Sequence, residues 1–467
     1  YVNDVTGRNT IFVIIDSGVS YLHPDLINND GTSKIIKMWD QEGTTNPSPE
    51  GFNFGSEFSR EEINEAIIRN DRTLSVDKRG TGTIVAGILV GEGRVDDSFG
   101  GIAKGAELLV IKLREYTGEY YDDKFNYGIT DFLCAVAYAI RFSEGKEKNL
   151  VINMTVAARS TFGALSILQT FEEIRYPGVV LISGAGNQRD TYIHYEGRLD
   201  NENDQNDILI ELSSAKSMDI FFESSEIDRF NVAIISPSGE VSYRIQYAPD
   251  YYEYKGKFNL ENTSYTMRYF YPYLVSGSQV LEINLNNVQP GGWILRIASD
   301  TYVDGKYHIY IPNKNLITQR DGFIDSNSYS TITYLGHTDD ILTVGTYDNR
   351  FNSTWVASSQ GPGRAGWVKP DFIASGVDII STYGDNGYRL GTGTGISSTI
   401  VAGIAALIME YIDLQSPSSR SLMHSQVLKT YLMLGAKRSS YYVYPNVIEG
   451  YGLIDFPNTM RQISENI

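Results

Sequence analysis

The sequence predicts an α/β fold, a parallel sheet flanked by helices, interrupted by an inserted all-β domain of jelly-roll or sandwich type. Three observations carry this. Continuous apolar runs rich in β-branched residues, Ile11–Ile15 and Leu108–Leu113, read as strands buried on both faces, as in a parallel sheet. Helical stretches at Glu61–Asn70, Ile129–Phe142 and Phe162–Glu173 alternate with such runs. Between about Asp190 and Thr318 the helical period disappears. Short alternating runs (Ile208–Leu212, Phe230–Ile235, Val280–Leu285, Trp293–Ala298, Tyr307–Ile311) are separated there by turn signals such as Pro237-Ser238-Gly239 and Pro290-Gly291-Gly292. The expected division is 1–189 and 319–467 for the two parts of the α/β domain, with 190–318 as the insert.

Length and composition bound the function. The chain has 467 residues, enough for two or three domains, with 42% hydrophobic and 21% charged residues, as in ordinary globular proteins. No apolar run approaches the roughly 18 residues of a membrane span, so no transmembrane segment is expected. The net charge of −18 argues against nucleic acid as a partner. The one cysteine, Cys134, lies in the apolar helical run Phe132–Ala137. It excludes an internal disulfide and reads as an inert core thiol. The 33 tyrosines cluster at Tyr251-Tyr252, Tyr269–Tyr271 and Tyr441-Tyr442. Sheet packing accounts for such clusters, and a sugar-binding face is the alternative. The chain opens at Tyr1 without a signal-peptide pattern.

Taken in order, the α/β parts carry a series of motifs. The first strand ends at Asp16-Ser17-Gly18, with His23-Pro24-Asp25-Leu26 following. A carboxylate at the carboxyl end of a buried parallel strand sits where open α/β sheets place their sites. Arg79–Ile88 is a glycine-rich turn running into Val85-Ala86-Gly87. Leu150–Ala158 and Val179–Asn187 are strands, the second closing on Gly184-Ala185-Gly186-Asn187. After the insert come a strand at Asp340–Gly345, then Ser358–Pro362 and Lys369–Val377. Gly391–Gly403 follows, a glycine-rich turn entering a buried helix that should run to about Tyr411, and then the closing segment Gly450–Asp455.

In this order and spacing the motifs resemble those of the subtilisin-like (S8) serine proteases over roughly residues 5–188 and 320–460. The resemblance implies a subtilisin-like fold and puts Asp16 at the catalytic Asp position. Registering on Val85-Ala86-Gly87 puts Thr81 where the family has its general-base His. Registering on the second Val-Ala-Gly puts Gly395 where the nucleophilic Ser belongs, and Asn187 falls at the oxyanion-hole position. Thr81 has no pKa near neutrality and cannot act as base, and a glycine cannot attack a carbonyl. None of the five histidines (His23, His194, His308, His337, His424) lies in a segment that reaches this site in the family. Thr155, Val156, Ala157 and Ala158 match the substrate-cleft strand, with alanines where the family has glycines, so that two methyls crowd the groove. Ser375 stands where Pro is usual. Gly395 also reads simply as a glycine that closes a turn. Asp25 aligns with a calcium-ligand position, with Asp96-Asp97 in a nearby loop, so a metal is left open. No cofactor is expected.

Within the family the sequence is most similar to the Csp proteins of spore-forming anaerobes, which carry a jelly-roll insert at this place. The resemblance implies a catalytically inactive CspC-like member, with CspA-like as the near alternative. Its expected setting is the cortex or coat region of the bacterial spore. Expected partners are a Csp-type protease, the zymogen of a cortex-lytic enzyme, its own prodomain from an upstream segment, and a small-molecule germinant such as a bile salt. The alternatives are an active peptidase with another nucleophile, Ser398 above all, and a carbohydrate- or cortex-binding module using the Tyr-rich insert.

Overall fold

A computed structural model describes residues 5–144, 147–156, 168, 172–246, 250–273, 277–363, 366–415 and 423–466. Ala157, Ala158 and most of the helix expected over Phe162–Glu173 lie outside these; Glu172–Arg175 is a 3-10 turn.

The apolar runs become the centre of one mixed sheet. Strand β1 (Thr10–Asp16) is buried at every position and lies parallel to both β4 (Glu107–Lys112) and β7 (Asn149–Met154). The nine-stranded sheet runs β20-β19-β8-β7-β1-β4-β2-β3, with β21 (Phe372–Ser375) also paired to β19. Here β2 is Ile35–Asp40, β3 Ser56–Ser59, β8 Val179–Gly184, β19 Ile341–Asp348 and β20 Ser353–Thr354. Among the described residues, only the β2–β3 and β19–β20 pairs of this sheet are antiparallel, both at the edges. This is the subtilisin-like α/β architecture expected from the sequence.

Helices cover the sheet. On one face α2 (Thr81–Val90) and α4 (Thr394–Gln415) bury their apolar residues with Phe12, Ile14 and Val110 of the sheet. On the other, α3 (Ile129–Ser143) packs with Val13, Ile15 and Ile152. By length and composition α4 would pass as a membrane span; here it is the mostly buried core helix of the fold. The remaining helices are α1 (Arg60–Arg69), α5 (Ser425–Gly435) and α6 (Phe456–Asn466). Beneath α5, Lys369 and Asp371 are wholly buried with Lys429 beside them.

Between β8 and β19 the chain builds antiparallel sheets of four and six strands. The four-stranded sheet runs β12 (Arg229–Ile235), β16 (Gly291–Thr301), β10 (Gln205–Leu212), β18 (Gly322–Phe323). The six-stranded sheet runs β13 (Asp250–Phe258), β14 (Thr263–Tyr271), β15 (Gln279–Val288), β11 (Ala215–Ser224), β17 (Lys306–Tyr310), β9 (His194–Arg198). Their inner faces share one core that includes Phe222, Phe230, Tyr269, Ile283, Trp293 and Tyr307. The two-residue strand β18 lies beyond residue 318 and is too short to show alternation in sequence. Tyr269 packs in this sheet core as expected, but Tyr441 does not pack in any sheet; it stands 91% exposed in a loop. Two hairpins complete the fold, β5–β6 (Glu115–Thr117, Phe125–Tyr127) and β22–β23 (Ile379–Tyr383, Gly387–Gly391).

Candidate functional site

The site lies at the carboxyl ends of β1, β7 and β8, where α2 and α4 begin. Asp16 ends β1 with its carboxylate buried. Its Oδ1 accepts the Ser17 amide at 2.7 Å and the Thr81 hydroxyl, and its Oδ2 accepts the Thr155 hydroxyl. Burial pushes its pKa up, and the bonds from Thr155, Thr81 and Ser17 only partly offset that. The structure thus brings Asp16, Thr81 and Thr155 together. What Asp16 holds is a pair of hydroxyls and one amide, with no imidazole.

Thr81 stands at this point because α2 starts there, and Asp77 is what starts it. The Asp77 carboxylate accepts the amides of Gly80 (2.7 Å) and Thr83 (3.0 Å) and the hydroxyls of Ser17 and Thr83 (both 2.6 Å). It thereby satisfies helix N–H groups that the N-cap residue, Gly80, leaves unmet. Ser17 Oγ also lies 2.8 Å from Thr81 Oγ1, so two carboxylates and four hydroxyls (Ser17, Thr81, Thr83 and Thr155) form one network. Sequence reading missed Asp77; a carboxylate three residues before the glycine-rich turn was the available signal. At the next position, a Cβ on Gly82 would fall 1.9 Å from the Gly18 carbonyl oxygen, so helix and β1 loop touch through backbone.

Across the cleft, Asn187 follows β8. Its Oδ1 accepts both the amide and the hydroxyl of Thr394 at 3.0 Å, which leaves its exposed amide nitrogen as the group free to donate into the cleft. Gly395 faces Asp16 and Asn187 from the first turn of α4. The glycine that the turn demands is Gly393, at φ +140°, whereas Gly395 does not adopt a left-handed backbone. The turn-closing explanation thus belongs to Gly393. A Cβ on Gly395 would meet the Thr155 carbonyl at 3.3 Å and its Cβ at 3.4 Å, which is tight but needs only a small shift.

The neighbouring hydroxyls point elsewhere. Ser397 is buried against Thr346 and the Ala374 carbonyl, at 3.0 and 2.9 Å. Ser398 is buried too, its hydroxyl within hydrogen-bond reach of two acceptors, Asn153 Oδ1 at 3.1 Å and the Gly395 carbonyl at 3.0 Å. The histidines are also placed away from Asp16. His23 Nε2 meets the Gly387 carbonyl at 3.0 Å; in the β insert His194 Nε2 lies 3.0 Å from His308 Nδ1; His337 meets the Ile332 carbonyl at 3.1 Å; His424 precedes α5.

The open cleft between these groups has a volume of about 510 Å³. Ile84, Val156, Leu390 and Ile396 supply apolar wall, Phe125 and Tyr127 of the β5–β6 hairpin supply aromatic wall, and Arg79 and Arg389 stand at its rim. Tyr127 lines the cleft together with Asp16, and burial first, then the Asp16 charge, push its phenol up. Asp25 is buried, with its carboxylate taken by the Arg94 amide (2.7 Å) and the Tyr388 hydroxyl (2.7 Å). Asp96 is held by Ser98. Among the described residues no group of three or more His, Cys, Asp or Glu is placed to hold a metal. Cys134 is half-buried on α3, and burial pushes its thiol up.

Comparison with known proteins agrees with this fold. The profile of the Subtilase family matches residues 7–220 and 313–452, leaving most of the β insert unmatched. The structure of the Clostridium perfringens CspB protease superposes with a TM-score of 0.85 over 99% of this chain and 94% of that one, at 24% identity. That likeness shows a shared fold with the insert included. The Streptococcus pyogenes C5a peptidase is 31% identical over 140 residues, 28% of this chain and 12% of that protein. Serine protease AprX of Bacillus subtilis is 37% identical over 100 residues, 17% of this chain and 23% of that protein. The chain thus spans less than a quarter of these curated relatives.

Proposed function

The chain belongs to the subtilase family, and from that premise we propose that it is a pseudoprotease that uses the protease fold to bind and regulate. One observation carries this reading. Acyl transfer by this fold needs an imidazole on the Asp carboxylate and a nucleophile beside the oxyanion donor. Asp16 instead holds the Thr81 hydroxyl, and Gly395 has no side chain to present. In subtilisin itself the loss of either Ser or His lowers kcat about 10⁶-fold, roughly 8 kcal/mol of transition-state stabilisation. Ser397 and Ser398, buried and already bonded, offer no replacement.

The regulatory setting rests on the motif resemblance and on the fold shared with a CspB protease along nearly the whole chain. On that basis the protein is a CspC-like component of spore germination, with a CspA-like role as the nearer alternative. It transmits a germinant signal, a bile salt being one candidate, and controls a partner Csp-type protease that activates a cortex-lytic zymogen. Its place is the spore. Fluorophosphonate labelling of the purified chain tests the catalytic half: no serine takes the probe. Stoichiometric labelling abolished by Ser398→Ala would overturn it. The regulatory half is read from the rate at which an active Csp-type protease cuts its zymogen with and without this chain; an unchanged rate at saturating chain would sink it.

A further inference from the structure

The β5–β6 hairpin is a two-stranded sheet that pairs with no other strand among the described residues. Such a hairpin has marginal stability of its own in water, so its position is set by what holds it. Its strand ends form part of the cleft: Phe125 and Tyr127 line it, and Arg79 lies 3.6 Å over the Phe125 ring while pairing with both oxygens of Glu115. Its tip, residues 118–124, is held by the β insert. The Tyr120 hydroxyl donates to Asp219 Oδ2 of β11 at 2.7 Å, and the Tyr120 carbonyl accepts the Lys216 amide at 3.0 Å. The Tyr121 ring packs against the insert's hydrophobic core, and its hydroxyl donates to Asp321 Oδ2 at 2.8 Å.

Both acceptors are themselves fixed. Asp321 is wholly buried and also accepts the Ser213 and Thr318 amides at 2.7 Å, where the chain leaves the insert. Asp219 Oδ1 accepts from Asn284 of β15 at 2.7 Å. The Lys216–Asp122 pair adds little, both side chains being largely exposed.

We propose that the inserted β domain positions one wall of the cleft, holding the β5–β6 hairpin by Tyr120 and Tyr121 so that insert and cleft form one coupled unit. Only the residues between Tyr121 and Phe125 separate a side chain in the insert's core from one in the cleft. A ligand that moves either end changes the free energy of the other, and by linkage the effect is reciprocal. The inference holds whether the cleft is silent or catalytic.

Hydrogen–deuterium exchange on the full-length chain tests it. Tyr120→Phe with Tyr121→Phe keeps both rings and removes both hydroxyl bonds. Asp219→Ala alters the insert alone. In the double variant the amides of 115–127 should exchange about tenfold faster, and in Asp219→Ala those of Phe125–Tyr127 at least threefold faster, while α4 and β10 keep the parent rates. Unchanged hairpin exchange in either variant overturns the proposal. So does an equal acceleration in α4 and β10, because it would mean that the contacts hold the whole fold and not the hairpin.

Discussion

Replacing Thr81 by Val removes one hydroxyl from the Asp16 network and keeps the branching of the side chain. The structure sets the size of the effect. The lost bond is charge-assisted and ends on a buried carboxylate, for which about 1.5–3 kcal/mol is usual. Thr81 itself is exposed, so water can take over part of its role; the expected loss is therefore about 1–2 kcal/mol at neutral pH. The pH dependence gives the sharper test. Burial raises the folded-state pKa of Asp16 above its unfolded value, so the folded chain holds this proton more tightly. Stability then falls as pH rises from the unfolded value through the raised folded one. Thr81 favours the ionised form, so removing it raises the folded pKa further. The deficit of Thr81→Val should be full above that pKa and fade below the ordinary carboxyl range, where Asp16 is protonated in both states. Urea unfolding of the parent, Thr81→Val, Asp16→Asn and the double variant at acid and neutral pH measures this as a double-mutant cycle. A deficit independent of pH, or strict additivity with Asp16→Asn, would refute the reasoning.

Other expectations follow from the same contacts. Lys369→Met should cost about 3–5 kcal/mol in urea unfolding, because a buried pair is broken and the Nζ bonds to Thr338, Ile341 and Thr343 go with it. Burial pushes Asp371 up, but Lys369 and Lys429 outweigh it and hold this carboxyl low, so its stabilisation is present above the unfolded value and lost as pH falls through the folded one. In Lys369→Met that acid loss should begin at higher pH. Gly82→Ala should lower stability by about 3 kcal/mol or more, read from the urea midpoint, since its methyl would fall on the Gly18 carbonyl.

Much of the site was legible because its pieces lie in local motifs. The run Ile11–Ile15 ends on Asp16, and Val85-Ala86-Gly87 fixed the register that put Thr81 against it, as the structure finds. Asn187 was likewise located by motif, and it directly meets Thr394 in the second glycine-rich stretch. What stayed hidden depends on the three-dimensional path. Asp77 sits in a stretch without periodicity, and its capping role exists only once α2 is set beside the β1 loop. Strand β13 is an edge strand that buries Phe258 but leaves Tyr252 43% exposed, so its sequence carries little of the apolar alternation that marks a strand. The residues that hold the β5–β6 hairpin are distant in sequence, Tyr121 reaching Asp321, and no local pattern announces such a contact. The difference between Gly393 and Gly395 is one of backbone dihedrals, which two glycines in one short motif do not reveal.

The central claim is that a protease fold is intact here and that two missing side chains silence it. Thr81→His with Gly395→Ser supplies both, and the backbone at 395 admits a side chain with only a small shift against Thr155. Peptide hydrolysis and fluorophosphonate labelling, measured side by side on the parent and the double variant, decide it. The account predicts a parent at background and a double variant that labels at Ser and cleaves. A parent that hydrolyses peptide as fast as the double variant, or a double variant as silent as its parent, would contradict it.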